Sequence, residues 1–122
     1  MSTIEKVNLA EKLALIREHW SPRIVGELNG QQVKLVKFVG EFVWHHHDDE
    51  DELFLVVAGA LRMQFRDGEL QVRAGQFVIV PRGVEHRPVA DETAHVVLVE
   101  PATTRNTGNV RDSRTVDELD WL

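Results

Sequence analysis

Between Trp44 and Leu53 the chain runs through His45, His46 and His47 and then five acids, Asp48, Asp49, Glu50, Asp51 and Glu52. Imidazole nitrogens and carboxylate oxygens are the donors that hold divalent metal ions, and they are also proton carriers near neutral pH. In an extended chain successive side chains alternate, so His45 and His47 share one side, with Cα atoms about 6.6 Å apart, and His46 takes the other. A His-x-His pair alone is equally an ordinary surface pair. Glu52 opens the run "ELFLVV" in phase with Phe54 and Val56, either as a solvated strand end or as a carboxylate turned inward. His86 lies in "PRGVEHRPV", where a glycine and two prolines make a rigid turn able to aim a side chain into a cavity. Taken together, His45, His47, Glu52 and His86 form a nitrogen and oxygen donor set suited to Fe, Mn, Ni, Co, Cu or Zn. The opposite strand phase would instead pair His46 with Asp48 and expose His45.

Other reactive side chains find less support. Asp48, Asp49, Glu50 and Asp51 read as a solvated acidic loop, and His19 and His95 have no partner visible in sequence. Arg82 and Arg87 flank His86 and are candidates to meet an anionic substrate, though exposed loop arginines are commoner. Lys37 shares the His45 face only if its strand runs past Gly40 without a bulge. The chain has no cysteine, which excludes disulfides, thiolate metal sites and thiol nucleophiles. No Ser-His-Asp pattern, P-loop or dinucleotide fingerprint is present, and no obvious general base accompanies the four donors. A net charge of −6 without a basic stripe argues against nucleic acid. No eighteen apolar residues run together and "MSTIEKVNLAEKLALIREHW" has no uninterrupted apolar core, so no membrane partner is expected and the cytoplasm is the default location.

The elements that must position these side chains are mostly strands. "NLAEKLALIREHW" predicts a short helix over about 8–20, with Asn8 as N-cap and Leu9, Leu13, Ile16 and Trp20 on one face. Asn29-Gly30 between two β-like runs predicts a hairpin, because both turn positions need positive φ. The runs "ALRMQF", "ELQVR", "QFVIV" and "HVVLVE" follow, separated by "RDG", "AG", "PRGVEHRPV" and "ADETA". This spacing predicts an all-β sandwich or barrel. Leu61, Met63, Phe65, Leu70 and Val72 are expected to face inward. "LFLVV", "FVIV" and "VVLV" are apolar on both faces and need an outer cover, from the helix and from a second subunit. The tail, 101–122, reads as an irregular arm over the body, pinned by Trp121 and Leu122. With 43% hydrophobic and 28% charged residues in 122, one domain over 1–122 is expected, with its core barrel at about 23–100.

The segment "GEFVWHHHDDEDELFLVVAG" resembles the first motif of the cupin superfamily: Gly40, His45-x-His47, four residues to Glu52 and six more to Gly59. "GQFVIVPRGVEH" resembles the second motif, from Gly75 through Pro81-x-Gly83 to His86, and the fifteen residues between Gly59 and Gly75 match the short spacer of compact cupins. Ala90 stands where the family's second motif often has Asn. The resemblance implies a double-stranded β-helix, the jelly-roll or cupin barrel. It also implies that His45, His47, Glu52 and His86 are the three-His, one-Glu ligands of one divalent metal ion. In six-coordinate geometry that leaves two positions for water, substrate or dioxygen.

The resemblance implies a chassis more than an activity. The leading expectation is a small metal-dependent enzyme, of isomerase or dioxygenase type, acting on an oxygen-rich metabolite such as a sugar derivative or organic acid. The alternative is a non-catalytic or regulatory cupin that holds metal and a small ligand. A homodimer is expected in either case, from the strands left apolar on both faces.

Overall fold

The structure is a computed structural model and describes residues 4–122. Asn8 caps the helix α1 (Leu9–Ala14), its side-chain oxygen accepting the Glu11 amide at 3.0 Å. The helix is shorter than the 8–20 expected, closing at Leu15. The expected apolar face survives: Leu13 and Ile16 are buried and Leu9 is partly so, packed with Val25, Leu35 and Val97. Trp20 is buried as well, but not from a helix. It sits at φ 60°, left-handed backbone that a bulky residue seldom adopts. Its indole stacks between Phe38 and Phe42, with centroids at 4.4 and 4.6 Å, and Nε1 donates to the Val39 carbonyl at 2.9 Å. Helix propensity is worth tenths of a kcal/mol per residue, and this docking outweighs it.

Seven strands follow: β1 (Arg23–Leu28), β2 (Gln31–Glu41), β3 (Glu52–Ala58), β4 (Ala60–Phe65), β5 (Gly68–Arg73), β6 (Phe77–Val80) and β7 (His86–Pro101). β1 and β2 form the expected hairpin, with Asn29 at φ 50° and Gly30 at φ 79°. The seven strands pair antiparallel throughout, in the order β1-β2-β7-β3-β6, and β4 bonds to β5 and to the first residues of β7. β7 thus ties the two halves of the barrel together. It begins earlier than expected: His86 is its first residue rather than part of a turn, and "ADETA" lies within it rather than separating two strands. Asp91, Glu92 and Thr93 are the exposed bend of this long strand, which is why they read as a loop.

Alternation fills the interior. Val36 and Phe38 of β2, Phe54 and Val56 of β3, Val96 and Leu98 of β7, with Leu61, Met63 and Val72, make the inner core. Leu70, expected inside, is 53% exposed although it faces buried Met63 across the ladder. β5 pairs with β4 alone, so nothing covers that rim. On the outside, α1 covers only part of the sheet, and Phe77 and Ile79 of β6 stay exposed.

Residues 102–122 form turns rather than strands and wrap back to β1. Ile24 donates to the Asp120 carbonyl and Leu122 donates to the Ile24 carbonyl, each at 2.9 Å. Leu122 packs on the α1 side, while the Trp121 side chain stays largely exposed, so backbone and Leu122 make the pin. Among the described residues no helix is long and apolar enough to cross a membrane.

Candidate metal centre

Gly40, at φ 78°, lies where the β2 register against β7 shifts. The chain beyond it stays on β7 through Phe42, which donates to the Pro88 carbonyl, and through a bridge in which His45 donates to the His86 carbonyl at 3.0 Å and His86 to the His45 carbonyl at 2.9 Å. Each of these two rings places Nδ1 2.9 Å from the carbonyl two residues back, Val43 for His45 and Val84 for His86. A ring held so donates from Nδ1 and keeps Nε2 for the interior. His47 lies two residues past His45 on the same side, its carbonyl accepting from Gly83 at 2.7 Å. Glu52 enters from the first position of β3.

One donor atom from each of His45, His47, Glu52 and His86 falls within a 4.8 Å cluster, and all four residues are buried. Glu52 Oε1 lies 2.8 Å from His47 Nε2 and 3.2 Å from His86 Nε2. The His47 nitrogen is buried without a hydrogen bond of acceptable geometry. The opposite phase is not formed: His46 turns outward, its Nε2 3.0 Å from Asp48 Oδ1.

The protonation states suit a cation. Burial, reinforced by the neighbouring His86, pushes the His45 pKa down from 6.5 to about 4, which keeps the ring neutral. Burial alone would raise Glu52. The close polar contacts with Glu100, His47 and His86 outweigh it and hold the carboxyl well below its ordinary range, as a carboxylate. A neutral His45 ring and an ionised Glu52, with the orphaned buried nitrogen of His47 between them, are the forms that ligate a divalent ion. The residues present fit such an ion.

The structure adds a pair that sequence reasoning missed. Lys34 and Glu100, each 1% exposed, meet inside the barrel, Lys34 Nζ donating to Glu100 Oε1 at 2.8 Å. Burial first, and then the charge of Glu52, push the Glu100 carboxyl well above its ordinary range, against the pull of Lys34. Two carboxyl groups in one apolar interior cannot both ionise cheaply, and the charge resides on Glu52. Both residues sit in phase with inward residues, Lys34 with Val36 and Phe38, Glu100 with Leu98 and Val96. That phase is the signal in the sequence that could have found them. His45, Glu52 and Glu100 share a cavity of about 20 Å³ with Trp20, Phe42 and Phe54, room for about one water.

The remaining candidates lie elsewhere. Lys37 donates to the Ile16 carbonyl at 2.7 Å on the outer face, opposite His95. Arg82 pairs with Asp51, and Arg87 bonds Gln64 and Glu41 beside the Trp44 ring. Nor are the acids one solvated loop, since Asp51 is engaged by Arg82 and the Glu50 side chain is only 15% exposed. The arm backs the ligand segment from outside. The His46 amide donates to Asn109 Oδ1 at 2.9 Å, and Asn109 N donates to the His46 carbonyl at 3.1 Å.

A small antiparallel barrel whose wall gathers three imidazoles and a carboxylate defines a class of fold built around a potential metal site. The family model for the cupin domain matches residues 34–100, more than half the chain, and the chain belongs to the cupin family. A solved cupin-2 domain containing protein from Shewanella frigidimarina is 46% identical over 78% of this chain and 93% of that one, with a TM-score of 0.77. A protein from Neisseria meningitidis is 36% identical over 80% of this chain and the whole of that one, with a TM-score of 0.73. Uncharacterized protein YdbB of Bacillus subtilis (strain 168) is 40% identical over 73 residues, 59% of this chain and 65% of that protein's length.

Proposed function

We propose that the protein is a small metal-dependent enzyme that holds one divalent ion with His45, His47, Glu52 and His86 and acts on a small oxygen-rich metabolite, a sugar derivative or organic acid. The supporting observation is the buried four-donor cluster, of which His45 and Glu52 line a cavity together with Glu100. A bound ion would supply Lewis-acid activation of a substrate oxygen, or, if iron(II), redox chemistry with dioxygen. The chain's own residues do the rest. The Glu100 carboxyl lines the cavity beside Glu52 and is the group a substrate hydroxyl would meet. Lys34 holds Glu100 Oε1 and fixes the carboxyl plane. Trp20, Phe42 and Phe54 wall the small cavity beside the donors and keep bulk water from it.

A buried lysine–carboxyl contact is a poor stabilising device, and the place of Glu100 in the cavity wall gives it a better use in recognition. The test is metal analysis of the purified protein, followed by oxygen uptake and substrate loss across a panel of sugar derivatives and hydroxy acids. Turnover lost in Glu100→Gln, with metal content retained, supports the reading. Metal and ligand binding without turnover would make the protein a binding or regulatory cupin, and a chain that takes up no metal removes both.

The same reading includes a homodimer joined through the outer face of β3 and β6. Its support is the apolar surface that α1 leaves uncovered there, with Phe77 60% and Ile79 53% exposed.

A further inference from the structure

The three imidazoles of the cluster are not held alike. His45 and His86 each donate Nδ1–H to the carbonyl two residues earlier, at 2.9 Å in both cases. For His47 the corresponding carbonyl is that of His45, and the His86 amide already occupies it at 2.9 Å in the bridge that joins the two motifs. Among the described residues His47 Nδ1 has no hydrogen-bond acceptor within reach. Its salt-bridge neighbour on that side is Glu50 Oε1, 4.0 Å away. Glu50 is not a free loop acid: its side chain is 15% exposed, and its other oxygen accepts from Thr103 Oγ1 at 2.9 Å, at the start of the arm. Asp48 and Asp49, its neighbours on the same loop, are exposed.

A histidine that binds metal through Nε2 must carry its proton on Nδ1, and that proton needs an acceptor if the ring is to stay neutral and oriented. We infer that Glu50 is this acceptor, a positioning residue that fixes the tautomer and plane of His47 in the metal-loaded protein, with Thr103 holding Glu50 in place. Closing the gap takes about 1 Å of side-chain movement, or one bridging water in the groove that His47, Glu50 and Thr103 line. Through Thr103 the arm also becomes part of the metal centre, although the arm lies outside residues 34–100.

This role rests on the metal reading above, and the experiment separates the two. Zn²⁺ is the probe, competed against a chromogenic chelator, with the native metal removed beforehand. Glu50→Gln, close to isosteric, is expected to weaken Zn²⁺ binding about tenfold to a hundredfold. Thr103→Ala shifts it in the same direction by less, and Asp49→Asn, which removes the same charge from the same loop, changes it less than about twofold. Nitrogen NMR of the Zn²⁺ form gives an independent readout: the His47 Nδ1 resonance moves in Glu50→Gln, and those of His45 and His86 do not. Equal weakening by Asp49→Asn and Glu50→Gln would show a general field of the acidic loop and overturn the assignment. Unchanged affinity in Glu50→Gln would overturn it too. Failure of the unaltered chain to bind Zn²⁺ or any other divalent ion takes down the metal reading and this role with it.

Discussion

At the scale of single residues the three consecutive histidines have separate duties set by which way each side chain turns. His45 and His47 are 3% and 4% exposed and face Glu52 and His86, while His46 points to Asp48. Replacing His45, His47, Glu52 or His86 by Ala is therefore expected to strip or weaken bound metal, read as metal per chain after gel filtration. His46→Ala is expected to keep full stoichiometry and to change stability by no more than about 0.5 kcal/mol, as surface changes do. Loss of metal in His46→Ala with His45→Ala unaffected would overturn the assignment. The His45 ring also predicts an acid sensitivity of the metal-free protein. Its folded pKa is about 4 against 6.5, so the unfolded chain takes up the proton first as pH falls. The stability tied to its neutral form is complete above pH 6.5 and is lost as pH falls toward 4. That loss amounts to about 3 kcal/mol, because each tenfold difference in proton affinity between the folded and unfolded chain is worth about 1.4 kcal/mol. Urea unfolding of the chelated protein at about pH 7, 5.5 and 4 measures it, and His45→Asn should flatten that part of the profile.

At the scale of elements the arm ties the ligand segment to β1. It leaves β7 after Pro101, crosses behind the ligand segment at Gly108 and Asn109, and ends against Ile24 of β1. Gly108 sits at φ 56°, and a Cβ there would stand 2.3 Å from the His46 carbonyl oxygen and 3.0 Å from His45 Cδ2. No larger residue fits without moving the arm or the histidine segment. Gly108→Ala is expected to cost about 1–3 kcal/mol, from backbone strain and the displaced contact. The Asn109 amide, which bonds the His46 carbonyl, should then exchange faster with solvent while amides in β2 and β7 stay protected. Uniformly unchanged exchange would show that the arm does not press on the ligand segment.

At the scale of the whole molecule two quantities follow from how the surface is divided. The outer face of β3 and β6 carries Leu53, Phe77 and Ile79 beyond Leu55 and Val57, where the α1 cluster ends. Sedimentation at micromolar concentration is expected to give twice the 13.9 kDa of one chain, and Ile79→Glu to give the monomer. A clean monomer of the unaltered protein would refute the dimer. Removal of metal is expected to lower the melting temperature by an amount equivalent to a few kcal/mol while leaving the β signal intact. The inner core of Val36, Phe54, Val56, Leu61, Met63 and Val96 does not depend on the four donor residues. Complete loss of β structure on chelation would show that the ion is needed for folding.

Much of this molecule was settled by local pattern. Period-two alternation placed His45 and His47 on one side, and Asn29-Gly30 made its hairpin, because side-chain direction and turn chemistry are properties of a few adjacent residues. The motif spacings led to the family, since each glycine, proline and donor reports on its own short segment. What tertiary structure decided were matters of long-range partnership. The helix ended at Ala14 because Trp20 found a slot between Phe38 and Phe42, whose formation needs β2 in place. Lys34 and Glu100 are 66 residues apart, and although strand phase turns each inward, only the pairing of β2 with β7 makes them partners. Glu50 was indistinguishable from Asp49 in the sequence, and only the bridge that occupies the His45 carbonyl, together with the arm's Thr103, sets it apart. A short sequence window carries direction and propensity. Which carbonyl is already taken, and which buried charge has a partner, depends on segments that meet only when the barrel closes.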